Sequence, residues 1–213
     1  LKARLIGVYL LEDWAELVGD GHQDAGRRLL ARWQEPHRRY HTADHLAAVL
    51  GHVTELQGKE PVRLAAWFHD AIYWPDRQDN EERSARLAQR TLSLFNIDPS
   101  TGAEVGRLVR LTLTHDPRPD DGNGAVLCDA DLAILAAPHA GYRRYTEAIR
   151  AEYGHLDDAT FTAGRRAVLQ RLLGRRQLFH TPVGSQRWEA AGRANLRAEL
   201  DALDGAAVPP PEA

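Results

Sequence analysis

The stretch Pro61-Val62-Arg63-Leu64-Ala65-Ala66-Trp67-Phe68-His69-Asp70 decides how this chain folds. Proline suits the first turn of a helix, where its missing N–H costs nothing. The run from Val62 to Phe68 then leaves almost no polar face, so the segment reads as a helix buried nearly all round and central to the core. Such a helix should finish in more apolar residues, yet it finishes in an adjacent His and Asp. Burying two polar groups there costs several kcal/mol unless something pairs with them, and a metal ion satisfies both.

The surrounding sequence has the same character. Leu, Ala, Arg and Glu dominate, β-branched alternation is scarce, and the periodicity predicts an all-α chain with helices over about 5–18, 23–34, 43–56, 80–95, 98–114, 125–136, 139–153, 158–173 and 186–203. Thr42 is a candidate N-cap for the helix carrying Leu46, Val49, Leu50 and Val53, and Asp79 or Asn80 for the helix reaching Phe95. Residues 116–124, with two prolines and several aspartates, predict a loop. No internal repeat is visible. One helical domain is expected over 1–204, with the chemistry concentrated in about 37–136, and the tail 205–213, containing Pro209-Pro210-Pro211, is expected to be disordered.

Composition narrows the function classes. At 213 residues, 43% hydrophobic and 27% charged, the chain has enough apolar material for a sizeable core. A formal net charge of −3 gives no strongly basic surface for a nucleic-acid polymer, so a small phosphorylated metabolite or nucleotide is the expected partner class. No run is long and apolar enough for a membrane span. The single cysteine, Cys128, lies beside Ala125-Val126-Leu127 and reads as a buried thiol, which suits a reducing cytoplasm. It also excludes a cysteine-rich zinc site. Apolar positions to spare after Leu156 are compatible with a homo-oligomer.

A metal at His69-Asp70 needs further ligands. His41 lies in Tyr40-His41-Thr42-Ala43-Asp44-His45 just before a helix, and Asp129-Ala130-Asp131-Leu132 puts two carboxylates inside an apolar stretch, of which one must face inward. Mixed imidazole and carboxylate ligands favour one divalent transition metal (Mn, Fe, Co, Ni or Zn), with Mg also compatible.

At this point the sequence resembles the HD-domain superfamily of metal-dependent phosphohydrolases, and within it a small bacterial group of predicted phosphohydrolases. The resemblance spans about residues 40–135 and rests on Tyr40-His41-Thr42 with His45, on Phe68-His69-Asp70-Ala71-Ile72-Tyr73, on Asn80-Glu81-Glu82-Arg83-Ser84-Ala85, and on Asp129-Ala130-Asp131-Leu132. It implies an HD-type helical bundle with metal ligands His41, His69, Asp70 and Asp131. The family setting selects Asp131 over Asp129. It also implies hydrolysis of a phosphate ester or anhydride by metal-activated water.

Other polar residues take provisional roles on this reading. Asp70 is both ligand and catalytic group. Glu81 and Glu82 are the candidates for proton transfer, with Glu82 assigned the catalytic role. Arg83 is the preferred substrate cation among Arg38, Arg39, Lys59 and Arg83, and His45, one turn beyond His41, is assigned to substrate. Trp67 reads as core, while Tyr73 and Trp74 either stack on a base or close a loop over the site. His115 resembles the extra histidine of two-metal family members, so a second metal through His115 is the less favoured arrangement. Two rivals stand beside hydrolysis: a dinuclear-iron oxygenase, which needs the fuller histidine set, and a non-catalytic metal- or ligand-binding module.

Overall fold

A computed structural model describes residues 2–206. Among them are eleven α-helices and no strand, as the periodicity requires. The helices are α1 (Lys2–Val18), α2 (Gln23–Trp33), α3 (Ala43–Glu55), α4 (Glu60–Phe68), α5 (Asn80–Leu94), α6 (Pro99–Leu111), α7 (Gly122–Leu132), α8 (His139–Glu152), α9 (Asp158–Leu173), α10 (Pro182–Arg187) and α11 (Glu189–Ala206). None of the described helices is long and apolar enough to cross a membrane.

Backbone contacts group the chain into two compact units divided after Asp131, inside the span the sequence reading treats as one domain. In the first unit α4 packs against α3, α5 and α6, and α5 lies along α6. The apolar run of α4 explains its central place: Val62, Leu64, Ala65, Ala66, Trp67 and Phe68 are all wholly buried. A helix without a polar face can satisfy the hydrophobic effect only by being surrounded. Around it stand Leu10 and Trp14 of α1, Trp33 of α2, Leu46, Val49 and Val53 of α3, and Leu92 of α5, all buried. Gly26 lets α2 close on α1, since a Cβ there would come within 2.5 Å of the Trp14 ring.

In the second unit α11 packs against α9, α10 and a 3-10 turn at Ala133–Ala136. Asn195 fixes that turn by donating from Nδ2 to the carbonyls of Leu135 (2.8 Å) and Ala137 (2.9 Å). The buried Arg165 pairs with Glu199 at 2.7 Å, and Tyr142 donates its hydroxyl to the same carboxylate. A satisfied network of this kind fixes α8, α9 and α11 in one arrangement.

Several element ends differ from the sequence reading, each for a local reason. The α6 pattern runs past Leu111 in sequence, but the backbone leaves the helix through turns that end at His115 with φ +49°. The expected loop 116–124 gives way to helix at Gly122, where Asp121 accepts from the Gly124 N–H (2.8 Å). Thr42 and Asp79 occupy N-cap positions without making a side-chain cap bond, whereas Asp98 caps α6 through the Ser100 N–H. The expected tail differs too: 205 and 206 belong to α11, and 207–213 lie outside the described residues. Cys128 is buried, as expected.

One buried pair holds α4 in place. Asp13 of α1 accepts from Trp67 Nε1 (2.8 Å) and pairs with Arg63 (2.6 Å) while remaining only 8% exposed. Asp13→Ala strands the buried Trp67 indole N–H and leaves the Arg63 guanidinium with Glu16 alone (3.1 Å). Urea denaturation is expected to register a loss of about 3 kcal/mol, the magnitude typical of breaking such a pair from one side.

Candidate metal centre

Four segments of the first unit carry the site: the start of α3, the end of α4 with the loop after it, the turn after α6, and the last residues of α7. Their side chains meet at Asp131. Its Oδ1 lies 3.1 Å from His45 Nε2 and 3.6 Å from His69 Nε2, and its Oδ2 lies 2.7 Å from His115 Nε2. The two buried imidazoles face one another, with His45 Nε2 and His69 Nε2 3.3 Å apart. One ligand atom from each of His45, His69 and Asp131 fits within 4.8 Å of the others, a group able to hold a metal ion.

Each ligand is oriented by its own element. His69 is the first residue past α4, and its Nδ1 lies 2.8 Å from the Ala66 carbonyl. A carbonyl only accepts, so Nδ1 carries the proton of neutral His69 and Nε2 presents its lone pair to the cluster. His45 lies on the buried stripe of α3 with Val49 and Val53, at four-residue spacing. The Trp33 ring, 5.2 Å from the His69 ring and 6.3 Å from that of His45, walls the site on the α2 side. Trp33 is itself pinned by an indole bond to the Trp67 carbonyl (3.2 Å).

The electrostatics suit a cation. Burial pushes the His45 imidazole below its ordinary value, which keeps it neutral and ready to ligate. Burial works against the His69 proton as well, but the carboxylates of Asp70 and Asp131 outweigh it and hold this imidazole up to about 9. Burial is the largest single influence on both carboxyls and raises them, yet both are depressed, with the His69 charge the strongest of the groups that lower them. The His69 proton is thus the positive charge between the Asp70 and Asp131 carboxylates, and a divalent cation held there would replace it. Metal uptake at pH 7 is expected to release close to one proton, falling toward none as pH rises through about 9. Titration calorimetry in buffers of different ionisation enthalpy measures this directly.

The placement of the sequence-assigned ligands differs in two respects: the group includes His45, and neither His41 nor Asp70 belongs to it. His69 and Asp131 stand in the cluster, and Asp129, two residues before Asp131, is wholly buried. The third member is His45 in place of His41. His41 precedes α3 and stacks on Tyr73 (4.1 Å between ring centres), with its Nε2 3.9 Å from Asp70 Oδ2. Asp70 in turn lies 3.3 Å from His69 Nε2, bridging His41 to the cluster. The register of α3 is the reason, because only a residue inside the helix shares the stripe of Val49 and Val53. That stripe is readable in the sequence.

Glu82 and Arg83 are not brought to the cluster. Glu82 lies against Arg110 (2.6 Å) and Arg86 (2.6 Å), whose hydrogen bonds hold its carboxyl down to about 2. Arg83 is exposed together with Arg86 and Arg90, three and seven residues on. Glu81 instead is half-buried and feels Asp70, His115 and His69; its carboxyl is raised chiefly by burial. It lies in helical register with the buried Ala85, Ala88 and Leu92, a signal the sequence carries. Asn80 and Ser84 fasten this end of α5 to the loop after Asp70: Asn80 bonds both backbone groups of Trp74, and Ser84 Oγ bonds both of Ile72. Trp67 is core, Tyr73 is buried against His41, and Trp74 is 47% exposed and stacked on His37.

His115 completes the constellation in the left-handed backbone region, which is uncommon for a residue with a side chain. Strained backbone of this kind persists where surrounding structure enforces it and clusters at functional sites. Here it delivers an imidazole to Asp131 Oδ2. No protein-family model, curated protein or solved structure matches this chain.

Proposed function

We propose that this protein is a metal-dependent phosphohydrolase of the HD-domain type, acting on a small phosphate ester or anhydride such as a nucleotide. The observation that carries the reading is the convergence of two buried imidazoles, His45 and His69, on the Asp131 carboxylate, a nitrogen and oxygen donor set suited to one divalent transition metal. When bound, the metal supplies Lewis acidity: it brings the pKa of water toward neutrality and polarises a phosphoryl oxygen.

The chain's own groups do the rest. His45 and His69 offer ligand nitrogens already oriented by their helices, and Asp131 offers the anionic ligand. Asp70, between His41 and His69, holds those two rings in register and keeps negative charge next to the cation. Glu81 holds a proton at its carboxyl for the leaving group, a role its raised pKa suits and that of Glu82 does not. The net charge of −3 favours a small substrate over a polymer, and nothing in this reading requires a basic groove.

The test is metal analysis of the purified protein, followed by a phosphate-release screen over nucleotides and sugar phosphates with Mn, Co, Ni, Mg and Fe. Metal-dependent release, lost in His69→Ala, is the expected result. Tight metal binding with no phosphate release from any substrate points to the non-catalytic module instead. The approach of His115 to Asp131 favours a second reading, a dinuclear centre. Two irons per chain with oxygen-dependent turnover replaces hydrolysis with that chemistry.

A further inference from the structure

Arg38 is a buried cation that the proposed chemistry does not use. Its side chain is fully withdrawn from solvent, although it stands two residues before Tyr40 in a polar connector between α2 and α3. All of its donors are engaged. Nε and Nη2 reach Glu35 Oε2 at 3.3 and 3.2 Å, Nη1 reaches the carbonyls of His41 (3.1 Å) and Asp70 (2.8 Å), and Nη2 also reaches the Ala71 carbonyl (3.4 Å). The guanidinium plane sits 5.4 Å from the Trp33 ring centre and 5.6 Å from that of Tyr73. A guanidinium has five N–H groups, and these contacts account for five, so none remains for a phosphate.

The acceptors are informative. The carbonyls of His41 and Asp70, 3 and 32 residues beyond Arg38, belong to two segments, one leading into the helix of His45 and the other following directly on His69. Its aromatic neighbours serve the same place: Trp33 walls His45 and His69, and Tyr73 stacks on His41. We infer that Arg38 is a positioning residue of the metal centre, a guanidinium fork that sets the spacing between the His45-bearing and His69-bearing segments by binding their backbone carbonyls. Only arginine fills this role. Lysine keeps the charge but has three donors on a point-like head, and cannot span three carbonyls and a carboxylate from one plane.

This inference rests on the proposed metal centre, and the experiment separates the two. Co2+ alone is the probe, with affinity followed by calorimetry and coordination by the visible spectrum of the bound ion. Wild-type protein is expected to bind Co2+ and Arg38→Lys to bind it about ten- to hundredfold more weakly with an altered spectrum, the loss typical of removing a group that orients metal ligands. Millimolar guanidinium is expected to restore Co2+ affinity in Arg38→Ala, an effect opposite in sign to denaturation. Glu35→Gln, which weakens the anchor of the fork at a partly exposed position, is expected to give a smaller loss in the same direction, and it carries the test if Arg38→Lys does not fold. A wild type that binds no Co2+ overturns the metal centre itself. Wild-type binding, with the same affinity and spectrum in a folded Arg38→Lys or in Glu35→Gln, overturns the role of Arg38 alone, even if stability falls.

Discussion

Asp131→Ala is expected to abolish metal binding and, with it, metal-dependent phosphate release. The carboxylate is the point on which the site converges: its two oxygens stand 3.1 Å from His45, 3.6 Å from His69 and 2.7 Å from His115. Without it, the imidazoles whose Nε2 atoms are 3.3 Å apart keep only Asp70, on the His69 side, and a cation loses the carboxylate that both rings share. Lewis-acid assistance is worth several kcal/mol of transition-state stabilisation. At about 1.4 kcal/mol per tenfold, turnover should fall by at least about a thousandfold. Elemental analysis should find metal absent from the variant and present in wild type, and Asp129→Asn should retain it. Equal metal content and turnover in Asp131→Ala and wild type would falsify the centre as drawn. In the metal-free variant His69 also loses one of the two carboxylates that hold its proton, so its pKa, followed by NMR, should drop from about 9.

How far the sequence speaks for this site depends on which physical rule each residue obeys. The all-helical class was legible throughout, because periodicity and propensity agree along nearly the whole chain. His69 stands out for a reason independent of any family: a helix that ends in the buried run Leu64–Phe68 needs something after it that compensates a buried imidazole. His45 is legible from the register of α3. Counting from Val53 and Val49 places it on the buried stripe, whereas the family resemblance implies His41, just before the helix, which stands 3.9 Å from Asp70. The same arithmetic separates Glu81 from Glu82, since only the former shares a stripe with Ala85, Ala88 and Leu92. Where sequence reading stops is at partners distant along the chain. Nothing local announces that Arg110 captures Glu82, that Arg38 spends its donors on backbone carbonyls, or that the α6 pattern yields at His115 to a left-handed turn. These are tertiary outcomes, fixed by what surrounds the segment and not by its own propensity.

Glu81→Gln is expected to leave metal content unchanged and to slow turnover about a hundred- to ten-thousandfold, the range over which a positioned proton-transfer group contributes. Amide and carboxyl have nearly the same shape, so the anchoring of α5 through Asn80 and Ser84 survives, and only the exchangeable proton is removed. Burial raises the Glu81 carboxyl, with the Asp70 charge acting in the same direction, and a raised pKa extends the protonated form toward neutral pH. As a proton donor Glu81 loses activity when pH rises through that value, so the alkaline limb of the wild-type rate profile should vanish in the variant. The leaving group supplies the sharper discriminator. An alkyl or sugar phosphate departs as a strong base that needs a proton, whereas nitrophenolate departs without one. The Glu81→Gln loss should therefore shrink strongly on nitrophenyl phosphate, while Glu82→Gln, whose carboxylate is occupied by Arg110 and Arg86, should change turnover little on either substrate. A defect in Glu81→Gln that is equally large on both substrates means that its carboxyl does not protonate the leaving group, and assigns it to substrate placement instead.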